Sequence, residues 1–191
     1  MKPVPTLFVR DPQTGRVTEE VTPGCEWVTR GEGRVLRRFD GLWALVQDGV
    51  LYKRVDLDAF AAPADFHPKG DADPVTGKIP GWLPITNDDA WYRFAMAGSK
   101  KENGLYFLCG PKVVRNYDGF KFHTLVKFWE EPLKDVPLTY WGIYAYLMGH
   151  PHLYGILWIY HEWAHGTDRT AQVTRKDFGI PMNRVARKAL A

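Results

Sequence analysis

The sequence predicts an α+β fold of antiparallel sheets with peripheral helices, on two observations. Its apolar runs are short, rich in β-branched and aromatic residues, and bounded by Gly, Pro, Asp and Asn. Helical spacing shows in only a few segments, with no internal repeat. At 191 residues, 45% apolar and 25% charged, the chain reads as one globular domain spanning 1–191, with no second hydrophobic core.

Thr6 to Val9 reads as a strand followed by the turn "DPQTG". Arg34–Arg38, Trp43–Gln47 and Val50–Arg54 read as a three-stranded meander, because Asp48-Gly49 between two apolar runs is a strong hairpin signal. Residues 61–84, rich in Pro, Gly and Asp, read as a long surface loop, ordered because it carries Phe66, Ile79, Trp82 and Leu83. Asn87–Met96 opens with a capping pattern and places Trp91, Phe94 and Ala95 at helical spacing. Gly104–Cys109 is a buried strand stopped by Gly110-Pro111, and Thr124–Trp129 is another strand. Thr139–Met148 reads as a helix with Ile143, Tyr146 and Leu147 on one face. Tyr154–Tyr160 and Thr170–Thr174 are strands joined by a turn, and 183–191 reads as a basic C-terminal helix.

A net charge of +3 is too small to imply nucleic acid, although Arg30, Arg34, Arg37 and Arg38 crowd one segment. Arg169, Arg175, Lys176, Arg184, Arg187 and Lys188 crowd the other end. Two cysteines are too few for a disulfide scaffold. No signal-peptide pattern opens the chain, and the longest apolar run, "LYGILWIY", is too short to span a bilayer. A cytoplasmic monomer without a membrane partner is the expectation.

Five stretches, "CEWVTRGEGRVLRRFDG", "ENGLYFLCGPKV", "HTLVKF", "DVPLTYWGI" and "AQVTRKDFGIP", follow one another across most of the chain. Together they resemble the compact ATP-dependent RNA ligases of the covalent nucleotidyltransferase superfamily. Cys109-Gly110-Pro111-Lys112-Val113 and Arg175-Lys176-Asp177-Phe178-Gly179 carry most of the likeness. The resemblance implies a nucleotide pocket between antiparallel sheets and a lysine that forms a lysyl-adenylate from ATP. It also implies that the chemistry has been removed. The nucleophile position holds Arg38, a permanently protonated guanidinium with no lone pair to attack phosphorus. Asp40 and Gly41 are retained. The family's glutamates are replaced by Phe107 and Tyr154, and the lysines beside the transferred phosphate by Gln172 and Thr174. Without the nucleophile, two carboxylates and these cations, little of a metal-assisted phosphoryl transfer remains.

The replacements share a direction, from charge to ring. Phe107, Tyr154, Phe128, Trp141 and the Leu42-Trp43 pair stand where polar, small or acidic residues are expected. Strand alternation puts 38, 40 and 42 on one face and Trp43 on the other. This predicts a ligand-binding site of Arg38, Asp40, Leu42, Phe107, Phe128, Trp141, Tyr154, Gln172 and Thr174, suited to a flat aromatic small molecule. The concerted exchange reads as an engineered pocket, with core packing as the plain alternative. If the pocket catalyses anything, Lys112 is the substitute nucleophile, provided it is buried, and His152 or His123 the base. The runner-up is a degenerate ligase that still binds RNA or nucleotide, with ATP and magnesium; otherwise no cofactor is expected. His161-Glu162-Trp163-Ala164-His165 matches a zinc-hydrolase pattern, with His161 and His165 as ligands, but its flanks read as strand and turn rather than helix.

Overall fold

The structure is a computed structural model that describes residues 4–73, 76–98, 101–128, 131–162 and 167–182, without the side chains of 162, 167 and 168. The chain divides into two compact units: 40–128 with the N-terminal 1–3, and 4–39 with 129–191. Each unit has its own buried apolar cluster, so the expectation of a single core is corrected.

The first unit is built on a six-stranded sheet. Its strands are β4 (Leu42–Gln47), β5 (Val50–Asp58), β6 (His67–Pro68), β7 (Lys78–Pro84), β8 (Gly104–Cys109) and β9 (Thr124–Lys127). Their spatial order is β6-β7-β5-β4-β8-β9, and the pairings are antiparallel. Asp48 and Gly49 join β4 to β5 with φ of 53° and 81°, the left-handed pair that a two-residue hairpin turn demands. Ala44, Val46, Leu51, Tyr106, Leu108 and Leu125 share the face covered by helix α2 (Ala90–Ala97), which buries Tyr92 and Ala95. Phe94, expected on the packed face of that helix, is exposed instead.

Residues 61–84 are not one loop. Lys78–Pro84 pairs along its length with β5, from Asp58↔Lys78 to Tyr52↔Pro84. Two prolines and a glycine hid this strand. Pro80 and Pro84 stand outside the short β6 ladder, which uses only Gly81 and Trp82, so no pairing is lost on that side. Gly81 is bare because the Phe66 ring fills the space of a side chain; a Cβ there would lie 2.3 Å from the ring.

The second unit holds β1 (Phe8–Arg10), β2 (Val17–Val21), α1 (Glu26–Thr29), β3 (Arg34–Arg38), α3 (Tyr140–Gly149), β10 (Gly155–Glu162) and β11 (Thr167–Thr174). β1 and β2 form a hairpin, and β11-β10-β3 form a three-stranded antiparallel sheet. β3 therefore pairs with β10, more than a hundred residues away, and not with β4; the expected meander keeps only β4 and β5. Alternation cannot run from 38 to 42, because the chain leaves one sheet and enters another through Phe39, Asp40 and Gly41. β2 and α1 had no clear periodicity and were not anticipated.

Ile156, Trp158, Ala171 and Val173 line one face of the three-stranded sheet and pack with Trp27, Val28, Ile143 and Leu147. Thr139 caps α3 by accepting a hydrogen bond from the Gly142 N–H at 3.2 Å. The buried Arg175 guanidinium donates to the carbonyls of Leu147, at the end of α3, and Pro181, where a cation complements the helix dipole. The proposed helix 183–191 lies outside the described residues.

Gly41 tests this packing. A Cβ there would lie 2.6 Å from the Leu108 carbonyl oxygen and 2.8 Å from Cys109 Sγ. Gly41→Ala is expected to lower unfolding stability by roughly 1–3 kcal/mol in urea titrations. Gly98→Ala, with open space and a negative φ, is expected to change it by less than about 1 kcal/mol.

Candidate functional site

In the second unit the sheet face opposite the core gathers three of the expected residues. The register places Arg38, Gly155 and Thr174 in one row and Leu36, Leu157 and Gln172 in the next, all on that face. Arg38 donates from Nε to Gln172 Oε1 at 3.1 Å and from Nη1 to the Phe39 carbonyl, and its guanidinium lies 5.8 Å from the centre of the Tyr154 ring. Gln172 in turn donates to the Val4 carbonyl at 3.2 Å. Arg38, Tyr154 and Gln172 thus form one connected, half-buried group.

Thr174 shares the face but not the role. Its backbone N–H and hydroxyl both donate to Asp177 Oδ2, at 2.7 and 2.9 Å, and Asp177 Oδ1 pairs with Arg10 at 2.5 Å. Thr174 therefore closes the turn after β11 and is corrected from ligand contact to structural residue. Trp141 is also corrected. It lies in the first turn of α3, 61% exposed, with its indole N–H donating to Glu19 at 3.1 Å. The expected helix is present, and Trp141 lies off the side that buries Ile143 and Leu147.

In the first unit the rings gather as expected, but through a different residue. Trp43, Phe107 and Phe128 form a cluster, with ring centres 4.4 Å apart for Trp43–Phe107, 5.1 Å for Trp43–Phe128 and 5.9 Å for Phe107–Phe128. Phe107 and Phe128 are buried and Trp43 half-buried. Leu42 points to the opposite, helix-bearing face with Ala44 and is 44% exposed, so Trp43 replaces it in the candidate site. The pairings Leu45↔Tyr52 and Arg54↔Trp82 put Leu45, Tyr52, Arg54 and Trp82 on the same face as Trp43. Arg54 donates to Asp56 at 3.0 Å, yet its Nε is shielded from solvent and has no hydrogen-bond partner among the described residues. Sequence reasoning missed Arg54; its place two residues beyond Tyr52 on a pairing strand was the available signal.

Asp40 makes the turn contact rather than serving as a ligand group. Its buried carboxylate accepts the Tyr117 N–H at 3.2 Å, and its own N–H donates to Asp118 at 2.6 Å. These bonds tie the start of β4 to the loop after β8, where Val114 and Asn116 adopt left-handed φ of 46° and 50°. Lys112 is exposed on that loop, 5.0 Å from the Trp91 ring centre, so the burial needed for a substitute nucleophile is absent. His123 stacks on the same Trp91 ring at 4.4 Å. Desolvation, then the Lys112 charge, lowers the His123 pKa below 6.5.

His152 lies in the second unit, beside His150 and Arg37, whose guanidinium donates to the His152 carbonyl at 3.2 Å. Desolvation, Arg37 and His150 lower its pKa below 6.5, with Glu131 opposing. Its described contacts, His150 and Arg37, are not among the expected ligand-binding residues. His161 lies exposed on β10 and pairs in register with Asp168 of β11, a strand placement that a helical zinc pair does not fit. His165 lies outside the described residues, among which no group of three metal-ligating side chains occurs.

No described helix is long and apolar enough to cross a membrane. No protein-family model matches the chain, and no curated protein matches it.

Because both imidazoles are held below the ordinary value, the unfolded chain takes up protons first as the pH falls. Their contribution is therefore complete above about pH 6.5 and is lost as the pH falls below it. Side-chain NMR titration is expected to place His123 and His152 below 6.5, and His123→Gln to reduce the loss of stability between pH 7.5 and 5.5. An unchanged loss would show that His123 is not responsible.

Proposed function

We propose that this chain binds a flat, ring-containing small molecule on the ring-bearing face of its six-stranded sheet. In this reading the scaffold is of the compact RNA-ligase kind, without lysyl-adenylate chemistry. The observation that supports it most is the Trp43–Phe107–Phe128 cluster on the same face as Arg54. A half-buried indole backed by two packed rings offers a stacking surface. The partly exposed Arg54 guanidinium on that face, which also pairs with Asp56, supplies the positive charge that would orient a ligand carrying a carboxylate or similar acceptor.

The loss of ligase chemistry rests on Arg38, a cation that already donates to Gln172 and to the Phe39 carbonyl and has no free lone pair. The exposure of Lys112 supports the same conclusion. The shared direction of the exchanges, charge to ring, supports reading the face as repacked by design. Retention of nucleotide or RNA is the competing reading.

Intact mass after incubation with ATP and magnesium, followed by tryptophan-quenching titrations with flat aromatic acids and with ATP, tests this function. The expected results are an unmodified mass, quenching by the aromatic acids, and affinities about tenfold weaker in Trp43→Ala and Arg54→Met. A covalent AMP adduct, tight binding of ATP alone, or quenching indifferent to both substitutions would overturn it.

A further inference from the structure

In the first unit, exposed apolar side chains gather around Trp91, in the first turn of α2. The Trp91 ring meets the Phe94 ring at 6.0 Å, the stacked His123 imidazole at 4.4 Å and Lys112 Nζ at 5.0 Å, so helix, loop and the approach to β9 converge on it. Phe94 is 64% exposed, and Phe122, next to His123, is 80% exposed. Val114, two residues beyond Lys112, is exposed as well. The loop that bears Val114 and Phe122 is pinned from within. Val113 belongs to the buried cluster under α2, and the buried Asn116 side chain both donates to the Phe120 carbonyl and accepts the Phe120 N–H, each at 3.0 Å. Val114 holds a φ of 46°, a left-handed conformation that costs a β-branched residue free energy, and its side chain gains no burial in return. Charge on this surface has one dominant sign. From 110 to 123 the chain carries the exposed cations Lys112, Arg115 and Lys121 and a single carboxylate, Asp118, which accepts the Asp40 N–H. Helix α2 adds Arg93 and no carboxylate.

We propose that this surface docks the chain on an anionic lipid bilayer. Phe94, Val114 and Phe122 enter the membrane interface, and Lys112, Arg115 and Lys121 lie against the lipid headgroups. A projecting ring leaves water only where its partner surrounds it. A bilayer interface does so without a preformed groove, whereas a helical peptide docks into a groove and an extended one along a sheet edge. The excess of positive charge disfavours a second copy of this chain, because like charges would face each other. Attachment of this kind needs no spanning helix, and it does not depend on a ligand at the ring-bearing face of the six-stranded sheet.

Sedimentation of the full chain with lipid vesicles tests the proposal. Vesicles of phosphatidylcholine mixed with phosphatidylserine are expected to carry the protein down, and vesicles of phosphatidylcholine alone to leave it in solution. Binding is expected to fall as salt rises. Phe122→Ser and Lys121→Glu, both changes at exposed side chains, are each expected to weaken binding about tenfold. Phe60→Ser, at an exposed ring after β5, is expected to leave it unchanged. Equal binding to both kinds of vesicle, no binding to either, or an affinity indifferent to Phe122→Ser and Lys121→Glu would overturn the proposal. Saturable capture by soluble polyglutamate that phosphatidylserine vesicles do not compete away would also overturn it, and would assign the surface to an acidic protein.

Discussion

The six-stranded sheet depends on the missing side chain of Gly41. Only without a Cβ can the chain pass at this distance from the Leu108 carbonyl and Cys109 Sγ and still enter β4 in register with β8. Asp40, one residue earlier, spends its buried carboxylate on the Tyr117 N–H, and its backbone N–H engages Asp118. The Asp40-Gly41 pair therefore has a structural role of its own.

The same logic separates the expected site residues. Thr174 is consumed by Asp177, and Asp177 by Arg10, so these groups hold a turn together. Arg38 is held by Gln172 and the Phe39 carbonyl beside the Tyr154 ring, an arrangement in which the guanidinium is well satisfied. Trp43, Phe107 and Phe128 largely fill one another's space, yet Trp43 keeps part of its surface open, and Arg54 Nε has no hydrogen-bond partner among the described residues. Buried polar groups are rarely left unpaired, so this donor is the most informative single atom on that face.

The second unit answers to a different constraint. Arg175 is buried and donates to main-chain carbonyls, including one at the C-terminal end of α3. This fixes where the helix stops and, with the Thr139 cap, where it begins. A helix fixed at both ends sets the orientation of Tyr140, Trp141 and Tyr144, and the link from Trp141 to Glu19 on β2 locks the outermost ring.

What the sequence alone determined is local. The Asp-Gly hairpin, the buried run Gly104–Cys109, the Thr139-capped helix and the strands on either side of the His161 segment were legible because turn chemistry and periodicity act over a few residues. Arg38 was equally legible, since no fold changes the protonation of a guanidinium. Tertiary structure alone decided the pairing. β3 joins β10 instead of β4, and Lys78–Pro84 becomes a strand because β5 offers it a partner along its length. Those pairings set which side chains share a face: Trp43 with Phe107 rather than Leu42, and Arg54 where no motif pointed. Strand partners separated by dozens of residues leave no trace in local spacing, so the site could only be assembled once the ladders were known.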